Sequence, residues 1–286
     1  MTTSRQGLIS GLLGITLFAG SLPATRLAVA DLSPTFLSAA RVSIAAIIAL
    51  VVLIVLRQPL PKKKDITSLG INAFACVIAY PLLTAYALQH ITAGQSIVFN
   101  GLLPLCTAFF AFLVGDEKMK PLFWVFAAIG ASCVIGYALS LGGEGTMQGN
   151  LFMLTAVVIC GLGYTEGAKL SRKIGGWQVM CWALVVSLPI MLPLCLWALP
   201  TEPTLIKSDA WFGLGYVAIF SSLMGFLFWY RGLALGGTAS VGQLQLIQPF
   251  IGLALAALVL NEVITWPMLG VTVAAIICVA GARKFA

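Results

Sequence analysis

Long apolar stretches, cut at short intervals by charged or turn-forming residues, dominate this chain. Segments without a charged residue run over 7–25, 66–115, 121–143, 145–165, 174–201, 210–230, 232–261 and 263–282. A helix needs roughly 20 apolar residues to cross the hydrocarbon core of a bilayer, so several segments fit one crossing and others two. Divided at their punctuation, they predict ten helices, at 7–27, 34–56, 66–89, 94–114, 120–141, 149–170, 176–199, 210–233, 238–260 and 264–283. No soluble domain fits between them. Arg5, the apolar run after it and Ala28-Val29-Ala30 imitate a cleavable signal peptide. The length of that run favours a retained first helix instead.

A duplication supports the same reading. Pro104 is followed thirteen residues later by Glu117, and Pro249 thirteen residues later by Glu262. The offset of 145 continues beyond these pairs, with Cys133, Val134 and Gly136 matching Cys278, Val279 and Gly281. In a membrane protein, a period near half the chain length points to two structural repeats. The expected division is 1–143 and 144–286, five helices each. An odd number of crossings per repeat makes the second half enter the membrane in the opposite direction to the first. The expected fold is therefore an all-α membrane protein, with ten transmembrane helices in two inverted repeats around a central cavity.

Composition settles the class and charge sets the orientation. Hydrophobic residues make up 60% of the 286 and charged ones 9%, outside the range of a soluble domain. The net charge of +7 does not imply nucleic acid, because the basic residues are spread over helix ends. With the N-terminus inside, thirteen of the sixteen Lys and Arg fall on inner segments. Arg26 and Lys207 are left outside, and Arg41 lies within the second predicted helix. The positive-inside rule then puts both termini in the cytoplasm of a bacterial-type inner membrane. All seven cysteines fall inside predicted helices without metal-ligand spacing, so neither disulfide, metal nor cofactor is expected.

Polar residues mark the candidate site. Ser96, Asn100, Pro104 and Thr107 recur at spacings of four, four and three, along one face of the fourth predicted helix. Gln245, Gln248 and Gly252 occupy the equivalent face of the ninth. Lipid offers an amide no partner, so these faces should look into the bundle. Each proline leaves the carbonyl four residues earlier without its helical N–H, which frees the carbonyls of Asn100 and Gln245. Both levels lie near mid-bilayer. Pro81, Pro104 and Pro249 are candidate hinges. The amides either contact substrate or only join helices.

Tyr80 and Tyr164 are deep enough to form a cavity wall, whereas Tyr86, Trp229 and Tyr230 are placed as interfacial anchors. Arg41 either snorkels to the outer surface or pairs within the bundle, for instance with Asp31; a structural use is expected. Glu166 and His90 are candidate coupling groups. Glu166 stands three residues before Lys169, where a local ion pair competes with a proton-carrying role. His90 belongs to the outer end of the third predicted helix and is the only histidine.

Ten helices in two inverted halves, with Pro-x12-Glu closing each fourth helix, resemble the EamA-type transporters of the drug/metabolite transporter superfamily. "LPLCTAFFAFLVGDE" and "IQPFIGLALAALVLNE" carry that resemblance. "YALQHITAGQSIVFNGLLPL" is similar to the branch of amino-acid exporters of the YddG type. The resemblance implies a cavity lined by helices 1, 3, 4, 6, 8 and 9, and alternating-access export of amino acids or similar small metabolites. The alternatives are efflux of organic cations and, more distantly, a non-transporting scaffold. Enzymatic chemistry lacks its parts: one histidine, no H-E-x-x-H and no G-x-S-x-G. The expected partners are a small-molecule substrate and the bilayer.

The charge distribution generates a topology test. Tags at both termini should report cytoplasm, and a reporter inserted at Glu144 should report the opposite side. A C-terminus outside would defeat the inverted-repeat argument.

Overall fold

The computed structural model describes residues 2–114, 120–140, 144–236, 241 and 243–283. Glu117 and positions 238–240 at the predicted start of the ninth helix lie outside them, as do the side chains of Glu144 and Gln243. Eight helices are long and apolar enough to cross a membrane. They are α1 (Arg5–Ala28), α2 (Pro34–Val55), α3 (Lys63–His90), α4 (Ala93–Leu113), α5 (Pro121–Ser140), α6 (Thr146–Ile174), α7 (Gly176–Trp197) and α8 (Ser208–Gly236). Two shorter apolar helices follow, α9 (Leu244–Leu260) and α10 (Trp266–Ala282). The described boundaries fall within a few residues of those predicted.

Local chemistry explains where the helices stop. Ser33 caps α2, its hydroxyl accepting from the Phe36 N–H at 3.2 Å, with Pro34 in the first turn. Thr92 and Gln95 form a reciprocal capping box at the start of α4. Gly175 alone separates α6 from α7 and has φ 91°, a backbone conformation that a side chain would strain.

Helix pairing respects the duplication. The packed pairs α1–α8, α1–α9 and α2–α8 become α6–α3, α6–α4 and α7–α3 when each helix is exchanged for its counterpart five places away. The pairs α2–α7, α4–α9 and α5–α10 are mapped onto themselves. A pseudo-twofold arrangement produces such a network.

Without a hydrophobic driving force in lipid, close backbone approach and interhelical hydrogen bonds hold such pairs. A Cβ added at Gly7 of α1 would collide with the Gly236 backbone of α8. On the same seam Ser10 donates to the Phe228 carbonyl at 2.8 Å, and Tyr216 to the Leu17 carbonyl at 3.1 Å. On the counterpart seam Asn72 of α3 donates to the Gly163 carbonyl of α6 at 2.8 Å. This packing also corrects the placement of Trp229. Its backbone lies against Gly14 and its side chain is buried with Ile15 and Val241, not held at an interface.

Besides a one-residue interruption of α1 at Gly20, four helices depart from α geometry, in two matched pairs. In α4 the helix breaks after Asn100 and restarts at Leu103, with Pro104 in the new first turn. In α9 a 3-10 segment over Gln243–Ile247 gives way to α-helix at Gln248, with Pro249 in its first turn. The sequence predicted kinks here; the structure has interruptions. Proline is accommodated by starting a helix, where its missing N–H has no cost. In α3 a π-helical segment spans Ala73–Ala79, and in α8 another spans Tyr216–Met224. These π segments were not legible in the sequence.

Glu262, the described member of the repeated glutamate pair, ties the α9–α10 connection to α4. Its two carboxylate oxygens accept from Ala93 N–H at 2.8 Å and Gly94 N–H at 2.9 Å. Those N–H groups have no intrahelical partner, and the helix dipole favours an anion there. Glu262→Ala should therefore lower the melting temperature of the purified protein, with a loss of about 0.5–2 kcal/mol. An unchanged melting curve would show that the cap is dispensable.

Candidate functional site

The predicted polar residues separate into a central group and a peripheral one. Tyr80 and Asn100 meet in the centre, the Tyr80 hydroxyl donating to Asn100 Oδ1 at 3.1 Å. The π segment of α3 ends immediately before Tyr80, and the break in α4 follows Asn100, so both side chains stand at points where helical register changes. Pro81 is buried, and its carbonyl accepts from Ser38 of α2 at 3.2 Å.

Arg41 joins this group instead of snorkelling or pairing with Asp31. Its Nε donates to Ser222 Oγ at 2.8 Å and its Nη2 to Ser221 Oγ at 3.4 Å. Both serines belong to the π segment of α8. Asp31 accepts instead from the backbone N–H of Lys207, at 3.2 Å. Tyr80 stands within electrostatic reach of Arg41. Sequence reasoning treated Arg41 as structural and missed both serines, whose only signal was two adjacent hydroxyls inside an apolar run.

Tyr164 of α6 lies close to Tyr80, Tyr230, Cys76 and Cys160. It retains 37% of its accessible surface. Tyr230, expected at an interface, is half-buried against Gly176, next to Arg231. It also lines a cavity of about 480 Å³ with Gly175, Trp177, Gln178, Leu227 and Arg231. That cavity opens at the end of the bundle that carries Arg57, Lys173 and Arg231. A second cavity, of about 470 Å³, lies at the opposite end among Arg26, Gln89, Thr92, Leu260 and Glu262.

The remaining candidates are placed as follows. Ser96 is completely buried, and its hydroxyl has no partner among the described residues. The Thr107 hydroxyl donates to its own helix, at the Leu103 carbonyl (2.8 Å), while its carbonyl accepts from Thr165 at 2.9 Å. Gln245 and Gln248 are half-buried on either side of the 3-10-to-α transition in α9. Glu166 is buried and receives Lys169 Nζ at 3.0 Å. His90 is exposed at the end of α3 and stacks on Phe152, with ring centroids 6.5 Å apart. Tyr86 bonds the Thr35 hydroxyl across 2.9 Å.

Comparison with known proteins places this arrangement. A transporter of Bacillus subtilis (strain 168), YdeK, is 52% identical over the full length of both chains. A probable terminal-alkyne amino-acid exporter of Streptantibioticus cattleyicolor is 24% identical, over 88% of this chain and 84% of its own. A solved crystal structure superposes with a TM-score of 0.65 at 18% identity, covering 98% of this chain and 99% of the other, which supports the fold alone. The model of the EamA-like transporter family matches twice, at residues 5–140 and 147–283. With both halves matched, the chain is a multi-pass membrane protein and belongs to the EamA-like transporter family.

Proposed function

We propose that the protein is a secondary transporter that exports amino acids, or similar small zwitterionic metabolites with an apolar part, by alternating access. The observation that carries this reading is the polar cluster inside the bundle. Tyr80, Asn100 and Arg41 come from the first half of the chain, and Ser221 and Ser222, which accept from Arg41, from the second. A solute held there touches both halves, so their relative movement can pass it from one end to the other. Polar groups inside a membrane bundle are costly and mark substrate pathways.

The matched interruptions of α4 and α9, and the matched π segments of α3 and α8, supply bending points at equivalent levels of the two halves. Exchanging the roles of the halves would open one end cavity as the other closes, as inverted repeats do in other transporter folds. Substrate recognition by amides, hydroxyls and aromatic faces suits an amino acid. The amino-acid exporter named among the relatives supports the same class. Arg41 beside the site weighs against organic cations, because like charges repel in a low-dielectric interior.

Counterflow of radiolabelled amino acids in proteoliposomes tests the reading, with Asn100→Ala and Gln245→Ala as the informative variants. Each should weaken apparent affinity roughly 3- to 100-fold, since a lost hydrogen bond is worth about 0.5–1.5 kcal/mol, or up to about 3 with a charged partner. Melting temperature should change little. Lower stability with unchanged affinity would assign both amides to helix joining alone. Because Lys169 already holds Glu166, Glu166→Gln should alter expression or rate more than pH dependence. Counterflow that persists while pH-driven accumulation vanishes would make Glu166 the proton carrier.

A further inference from the structure

Arg41 is an interior cation that no carboxylate balances among the described residues. It stands seven residues into α2, about 10 Å from the helix start at 1.5 Å per residue. Snorkelling would draw its side chain along α2 towards the membrane surface. Instead Nε and Nη2 reach to the neighbouring α8, at Ser222 Oγ and Ser221 Oγ. The Ser222 hydroxyl donates its own proton to the Val217 carbonyl at 2.8 Å, which leaves its lone pairs for the guanidinium.

Two neutral oxygens orient the guanidinium without neutralising it. The acids that form bonds among the described residues have other partners. Asp31 accepts from Lys207 N–H, Asp65 from Lys173, Glu166 from Lys169, and Glu262 from the first N–H groups of α4. A guanidinium has five N–H donors, of which the serines take two. Tyr80, within electrostatic reach of Arg41, donates to Asn100 Oδ1, and among the described residues Asn100 Nδ2 donates no hydrogen bond. What the guanidinium lacks, among the described residues, is an anionic acceptor.

We infer that Arg41 holds the carboxylate of the transported solute, with Ser221 and Ser222 fixing the guanidinium and Asn100 as an additional donor. This rests on the transport reading proposed for the same site and narrows it: the substrate carries a free carboxylate. The planar guanidinium matches a carboxylate with paired hydrogen bonds, which an ammonium does not reproduce. The tyrosine cluster at Tyr164 and Tyr230 then receives the apolar part of the solute.

Counterflow by the wild-type protein, screened over the twenty L-amino acids, identifies an accepted solute; its methyl ester then serves as a matched competitor without the carboxylate. The ester should compete roughly 10- to 100-fold less well, the worth of a charge-assisted hydrogen bond. Arg41→Gln should weaken the acid by a similar factor and abolish the distinction between acid and ester, while Arg41→Lys restores part of it. Equal competition by acid and ester in the wild type overturns the inference, as does an Arg41→Gln protein that still discriminates. Failure of the wild type to exchange any amino acid instead counts against the proposed function. The anion site is then read alone, from thermal stabilisation of the purified protein by acetate. Stabilisation in the wild type that is lost in Arg41→Gln supports it, and equal or absent stabilisation in both removes it.

Discussion

Hydrocarbon cannot accept or donate a hydrogen bond, and the rest of this structure follows from that constraint. Hydroxyls placed in the helices bond backwards to their own chain, as Thr25, Thr107 and Ser187 do to the carbonyls four residues earlier. Other polar side chains cross to a neighbouring helix, as Asn72 does to Gly163. Backbone irregularity obeys the same rule. The breaks in α4 and α9 occur in helices that pack on each other and on α6 and α1, so neighbouring helices flank the altered backbone. Irregular backbone at membrane depth is tolerated only where protein encloses it or it faces water.

The properties that local sequence determines were legible. Run length is local, so the predicted helices agree with the structure to within a few residues, apart from the start of the ninth, which lies outside the described residues. The proline and glutamate spacing marked the duplication, and the family match over both halves agrees with it. The positions where α4 and α9 depart from helix were also legible, because a proline removes one specific N–H. That the helix restarts there, and does not merely bend, depends on how the whole bundle packs.

Contacts across large sequence separations were not legible. The π segment of α3 precedes Pro81, whereas its counterpart in α8 precedes Phe226, so no residue type marks both. Trp229 and Tyr230 read as interfacial because they stand near a helix end. A small residue on the facing helix, Gly14 against Trp229, lets that indole be buried, whereas Tyr230 stays half-buried at the end of the bundle. Arg41 reached its partners across about 180 residues, a pairing no local pattern encodes. Tyr80 and Asn100 were both singled out, but their mutual hydrogen bond depends on the register of α3 against α4.

Duplication gives this protein two equivalent halves, yet a solute with a charged end and an apolar end has no twofold symmetry. A symmetric site would present each end with the same groups and hold neither well. Symmetry is broken at Arg41: the corresponding stretch of α7 reads Leu184-Val185-Val186, with Leu184 buried in an apolar cluster. It is broken again in α8, where Ser221 stands 145 residues beyond Cys76 and supplies a hydroxyl where the first half has a thiol. These departures face each other, because the guanidinium of one half is held by the serines of the other. The matched breaks and π segments provide two equivalent directions of movement. The unmatched Arg41–Ser221–Ser222 contact gives the interior one charged end, and so one preferred orientation for what it carries.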